Sequence, residues 1–79
     1  MSAKETLELI SKQWCDLKDL QKLTGLGKNN ALKLKNDIKL DLNNKGYLLP
    51  NKLLPMNEVV SYLKINISYL QKMAKEVMN

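Results

Sequence analysis

The 79-residue chain contains no histidine and no arginine, one cysteine, three glycines and two prolines. With no His and with Cys15 alone, one chain can build neither a disulfide framework nor a zinc finger, so no metal site is expected. The commonest general base is missing, and no Ser or Cys has an evident activating partner. Neither catalysis nor a cofactor or small-molecule substrate is therefore expected. No apolar run approaches the roughly 20 residues needed to cross a bilayer, and no signal-like series opens the chain. Together with the lone thiol, these absences predict a cytoplasmic protein. All 13 basic residues are Lys and Asn is abundant, the composition of an AT-rich genome. The number of lysines is thus uninformative by itself.

What is present is more telling. A hydrophobic content of 44% is that of a globular chain, and the length predicts a single domain over residues 1–79. The charge is segregated. Residues 1–20 carry three Lys against four acids, residues 21–52 seven Lys against Asp37 and Asp41, and residues 53–79 three Lys against two acids. The positive field is thus concentrated on the middle of the chain, the electrostatic footprint of a nucleic-acid binder.

That same segment carries the densest pattern. Residues 20–34 read as the end of a short helix, a turn at Gly25, and a second helix exposing Lys28, Asn29, Asn30 and Lys33 while Ala31 and Leu34 turn inward. Leu20, Gly25, Leu26, Ala31 and Leu34 fall where a helix–turn–helix wants apolar or glycine residues, although Gln21 stands where a small residue is usual. The second helix of such a motif enters a major groove about 12 Å wide with its N-terminal residues first. Lys28, Asn29, Asn30 and Lys33 are the expected groove residues, Lys suiting phosphate and Asn suiting adenine. Lys22, Lys39 and Lys45 are expected to steer and hold phosphates, and Asn51 and Lys52 to touch the DNA backbone. The run from Leu23 to Ala31 also resembles a helix–hairpin–helix, in which the Gly25-Leu26-Gly27 loop and the following helix N-terminus grip a phosphate with little sequence preference. A third alternative is an ordinary helical corner with a solvated Lys/Asn face, in a small protein-interaction module where Met56, Met73 or Met78 offers an adaptable patch.

Along the chain, Ser2 and Glu5 fit a capping box opening a helix over about 3–13, with Leu7, Ile10 and Trp14 inward and Trp14 anchoring the core. Asp16 caps a helix over 17–23. A third runs from about Gly27 to Asn43 on the stripe Ala31, Leu34, Ile38 and Leu42, and Asn43-Asn44-Lys45-Gly46 stops it. Tyr47-Leu48-Leu49 and Lys52-Leu53-Leu54 flank Pro50-Asn51 and predict a small β-hairpin wing around 47–54. Pro55 opens a helix over 56–63 with Val59, Val60 and Leu63 inward. Asn66 caps the last, 67–78, with Ile67, Leu70, Ala74 and Val77 inward. The expected fold is mostly α: four to five short helices around a helix–turn–helix with a small wing. An offset of 39 residues also lays Leu20 on Val59, Gly25 on Lys64 and Ala31 on Leu70, a weak internal repeat of 16–43 on 55–78.

Residues 54–70, from Leu54-Pro55 through Glu58-Val59-Val60 and Leu63 to the turn at Lys64, resemble the helix–turn–helix of excisionase-like small regulators, with Lys64 where glycine is common. Residues 16–65 resemble small DNA-binding proteins of phages and integrative mobile elements in low-GC Gram-positive bacteria. Asp19-Leu20, Gly25-Leu26, Ala31, Lys45-Gly46-Tyr47 and Pro55 before Val59-Val60 carry that likeness. The resemblance implies a double-stranded DNA-binding protein acting in transcription regulation or as an excision or recombination accessory factor. A homodimer is expected too, since one short helix reads few bases, with Leu70, Met73 and Val77 as its surface.

Overall fold

Within residues 2–49 and 52–78, which the computed structural model describes, five helices and one antiparallel ribbon follow one another. The order is α1 (Ala3–Ile10), β1 (Trp14–Cys15), α2 (Leu17–Thr24), α3 (Lys28–Asn44), β2 (Leu54–Pro55), α4 (Met56–Leu63) and α5 (Ile67–Met78). The mostly helical fold expected from the sequence is the one observed.

Local chemistry sets most boundaries. The Ser2 hydroxyl accepts from the Glu5 N–H and opens α1. The helix stops at Ile10, three residues short of the expected end. Ser11 turns its hydroxyl back onto the Glu8 carbonyl at 2.6 Å, and a Ser that satisfies itself locally weakens the next helical turn. Lys12 is thereby freed to reach Asp19. At the start of α2 the Asp16 carboxylate accepts from the Asp19 N–H at 2.8 Å, while Asp19 accepts from the Asp16 N–H at 3.2 Å, a reciprocal capping box. Asp19 is only 4% exposed, and Lys12 Nζ donates to it at 2.8 Å. Gly25 ends α2 at φ 73, a left-handed conformation that a side chain would strain. Asn66 caps α5 as expected, accepting from the Tyr69 N–H at 2.9 Å. At the end of α4 the left-handed position falls on Lys64, at φ 55, and the Ile65 N–H closes onto the Val60 carbonyl.

The strand pairing differs from the expected wing. Residues 47–49 and 52–53 form no ladder; β2 instead pairs with β1, with Trp14 opposite Pro55 and Cys15 opposite Leu54. Pro55 has no N–H to donate, so the bonding continues one residue on, from the Met56 N–H to the Gln13 carbonyl at 2.9 Å. The stretch after α3 is tied elsewhere: the Tyr47 N–H donates to the Leu42 carbonyl, and its hydroxyl to Glu58 at 2.7 Å. Pro50 and Asn51, the expected wing turn, lie outside the described residues.

The core gathers Cys15, Leu20, Ile38, Leu42, Leu54, Met56 and Val59 from α2, α3, α4 and both strands of the ribbon. Three expectations about it need correction. Trp14 is only half-buried, because it stands on a two-residue strand at the edge of a groove rather than on a helix face; its neighbour Cys15 is the buried one. Ile67, expected inward, is 42% exposed, because α5 packs on α1 through its later residues. Met56 is fully buried and so lies in the core instead of a surface patch. The 39-residue offset lays α4 (56–63) on α2 (17–24) at equal length and the start of α5 at 67 on that of α3 at 28, but α5 has 12 residues against 17 in α3. The packing is not shared, because α3 lies on α2 whereas α5 lies on α1.

Two predictions follow from this scaffold. Asp19→Ala leaves the half-buried Asp16 N–H and the Lys12 ammonium without this partner and should cost about 1–3 kcal/mol in urea unfolding, about 4–8 °C of Tm per kcal/mol. Burial works against ionisation of Asp19, but the hydrogen bonds from Lys12 and the Asp16 N–H prevail and hold its carboxyl below the usual 3.8. A depressed folded value stabilises the fold above 3.8 and loses that contribution as pH falls through it. The wild type should therefore lose stability below about pH 4 more steeply than Asp19→Ala, and parallel curves would refute the clamp. Burial, with Asp19 and Asp16 nearby, pushes the Cys15 thiol up to about 12. Native protein at pH 8 should thus resist a thiol reagent that labels it at once in denaturant. Equal rates in the two conditions would mean that the β1–β2 core opens freely.

Candidate nucleic-acid interface

The start of α3 is open. Gly27 caps it with extended backbone and no side-chain hydrogen bond, and the first helical bond runs from the Ala31 N–H to the Gly27 carbonyl. The N–H groups of Lys28, Asn29 and Asn30 thus point out of the helix end without a partner among the described residues. No acid sits in the first turn, so Lys28 adds its charge to the positive end of the helix macrodipole. The turn before it is held by Gly25 and by the Thr24 hydroxyl, which accepts from the Leu26 N–H. Gly25 and Gly27 therefore shape the approach to this end.

Helical periodicity then sorts the expected residues onto different faces. Ala31, Ile38 and Leu42 are buried, and Lys28, Asn29, Asn30 and Lys33 are all exposed, as expected. Lys28, Leu32, Lys35 and Lys39 follow each other along one flank at helical spacing. Asn29, Lys33, Asn36 and Leu40 run beside them on the stripe opposite the core. Asn30 lies toward the far flank. Among the described residues, Lys28, Lys33, Lys39 and Lys52 enter no ion pair.

Other expected contributors are placed less favourably. Lys22 lines a recess with Glu5, Glu8, Lys12 and Asp19, so its charge sits among carboxylates of α1 and α2. Lys45 pairs with Asp41 one turn earlier at 3.1 Å, which raises its pKa and offsets much of its field. Asn51 lies outside the described residues. Lys52 is exposed and holds φ 67. The residue that sequence reasoning passed over is Lys35, whose ammonium donates to the Lys52 carbonyl at 2.7 Å and ties the approach to β2 onto α3. Its only signal in the sequence is its position seven residues after Lys28 on the basic flank.

Two further features bear on function. A groove between the α1–β1 turn and the α4–α5 corner is lined by Ile10, Trp14, Pro55, Val60 and Ile67. Leu48 is 99% exposed and Tyr69 58%. Among the described residues there is no cluster of acids and cysteine able to hold a metal ion, and no helix is long and apolar enough to cross a membrane.

No protein-family model, curated protein or solved structure matches the chain.

Proposed function

We propose that this chain binds double-stranded DNA through α3, as a cytoplasmic regulator or recombination accessory factor of a phage or mobile element. The observation that carries the reading is the open N-terminus of α3, where unpartnered amides coincide with Lys28, with the unpaired charges of Lys33 and Lys39 following further along the helix. Asn29 and Lys33 on the outward stripe meet base edges, and Lys28 and the amides of α3 meet phosphate. Lys39 and Lys52 extend the phosphate contacts, whereas Lys22 and Lys45, compensated by nearby acids, contribute little. The same open end serves the helix–hairpin–helix alternative, which differs in predicting little sequence preference. A second class, a protein-interaction module, is favoured by the Trp14–Ile67 groove and the exposed Tyr69.

Fluorescence anisotropy with duplexes of varied sequence, at about 50 and 200 mM salt, separates these readings. Lys28→Glu and Lys33→Glu should each weaken binding about tenfold, about 1.4 kcal/mol, with Tm unchanged. Binding that survives the higher salt on one sequence supports a specific regulator; equal, salt-labile binding to all supports the helix–hairpin–helix mode. Absence of binding by the wild type at both salts refutes DNA binding and leaves the protein-interaction module.

A further inference from the structure

Beside α3, at its middle rather than its end, Leu32, Asn36 and Lys39 face Lys52 and Leu53 across a shallow cleft floored by Leu54. Lys35 crosses it to bond the Lys52 carbonyl at 2.7 Å. The cleft therefore holds three lysines, and no carboxylate lines it. Lys35 already spends a hydrogen bond on a carbonyl; Lys39 and Lys52 have no ion-pair partner among the described residues. Three like charges around one small space repel each other unless an anion or solvent sits between them. Lys52 also holds a left-handed backbone, at φ 67, which is unfavourable for a residue with a Cβ and persists only where neighbours fix it. Among the described residues, the Lys35 bond is one contact that holds this carbonyl in place.

We propose that this cleft seats one phosphodiester of bound duplex, with Lys39 and Lys52 as its ligands and Lys35 as the residue that positions Lys52. The proposal rests on the DNA-binding reading and adds an orientation to it. Lys28 and Lys39 are eleven residues apart on one flank, about 16 Å along the helix axis at 1.5 Å per residue. A major groove is about 12 Å wide, so phosphates on its two walls come within reach of the two lysines only when α3 lies across the groove.

Single methylphosphonate substitutions along a bound duplex test the seat, because each removes one phosphate charge. One and the same position should weaken wild-type binding most, weaken Lys39→Ala and Lys52→Ala less, since each keeps one ligand, and have no effect once both lysines are replaced. Replacing both should also lower the slope of log affinity against log salt by about 0.9, so the affinity falls about threefold less between 50 and 200 mM. Lys35→Met should match Lys52→Ala, the Lys35→Met/Lys52→Ala double variant should be no weaker than Lys35→Met alone, and Lys35→Arg should retain binding. Additive losses in the double variant would make Lys35 a ligand in its own right and overturn its positioning role. Different sensitive phosphates for Lys39→Ala and Lys52→Ala would overturn the shared seat. A wild type that binds no duplex fails at an earlier step, which separates loss of the DNA reading from loss of this one.

Discussion

One buried carboxylate organises the molecule. Asp19 closes the first turn of α2 on Asp16 and, from the same position, takes the ammonium of Lys12. A carboxylate at 4% exposure is tolerable only because its ligands replace the water it has lost. Those ligands come from the segment between α1 and α2, so satisfying Asp19 also fixes the direction in which the chain leaves α1. The two residues between Lys12 and the cap, after Gln13, are Trp14 and Cys15, and they are thereby laid out as β1. From that strand everything downstream takes its position: β2 pairs with it, α4 begins at the end of β2, and α2 carries α3.

The central motif was legible because its determinants are local. Asp16 as a cap, Gly25 as a left-handed stop and the stripe of Ala31, Ile38 and Leu42 act within one or two helical turns, and all appear where the sequence places them. The ribbon was not legible, since Cys15 and Leu54 meet across 39 residues and two residues per strand leave no alternating pattern to read. The early end of α1 is partly of the same kind: Ser11 bonds the Glu8 carbonyl locally, but the partner that takes up Lys12 beyond it, Asp19, lies in the next helix. Lys64 marks the opposite case. Its left-handed conformation costs more than glycine's, yet α4 ends there because Ile65 returns its N–H to Val60.

The candidate site divides along the same line. Exposure of Lys28, Asn29, Asn30 and Lys33 follows from periodicity alone. Which lysines keep their charge uncompensated does not, because Lys22 borders a recess shared with Glu5 and Glu8 of another helix and Lys35 bonds a carbonyl 17 residues away. Counting lysines in a segment overstates its field wherever folding brings acids to it, and the middle of this chain contains both situations. The basic character survives on the Lys28–Lys39 flank because Asp37 lies on another face of α3 and Asp41 is taken by Lys45.

The packing of α5 bears on how a second copy of the chain could associate. A two-fold dimer through the last helix requires an apolar stripe free for a partner. Leu70 and Met73 are half-buried and Ala74 is buried, with α5 lying against α1, while Val77 lies outside the described side chains. Much of that stripe is therefore already occupied within the chain. What remains open is the groove of Ile10, Trp14, Pro55, Val60 and Ile67, on the ribbon side of the molecule. Self-association through that groove would leave the packing of α5 on α1 in place, whereas association through α5 would have to displace α1 first.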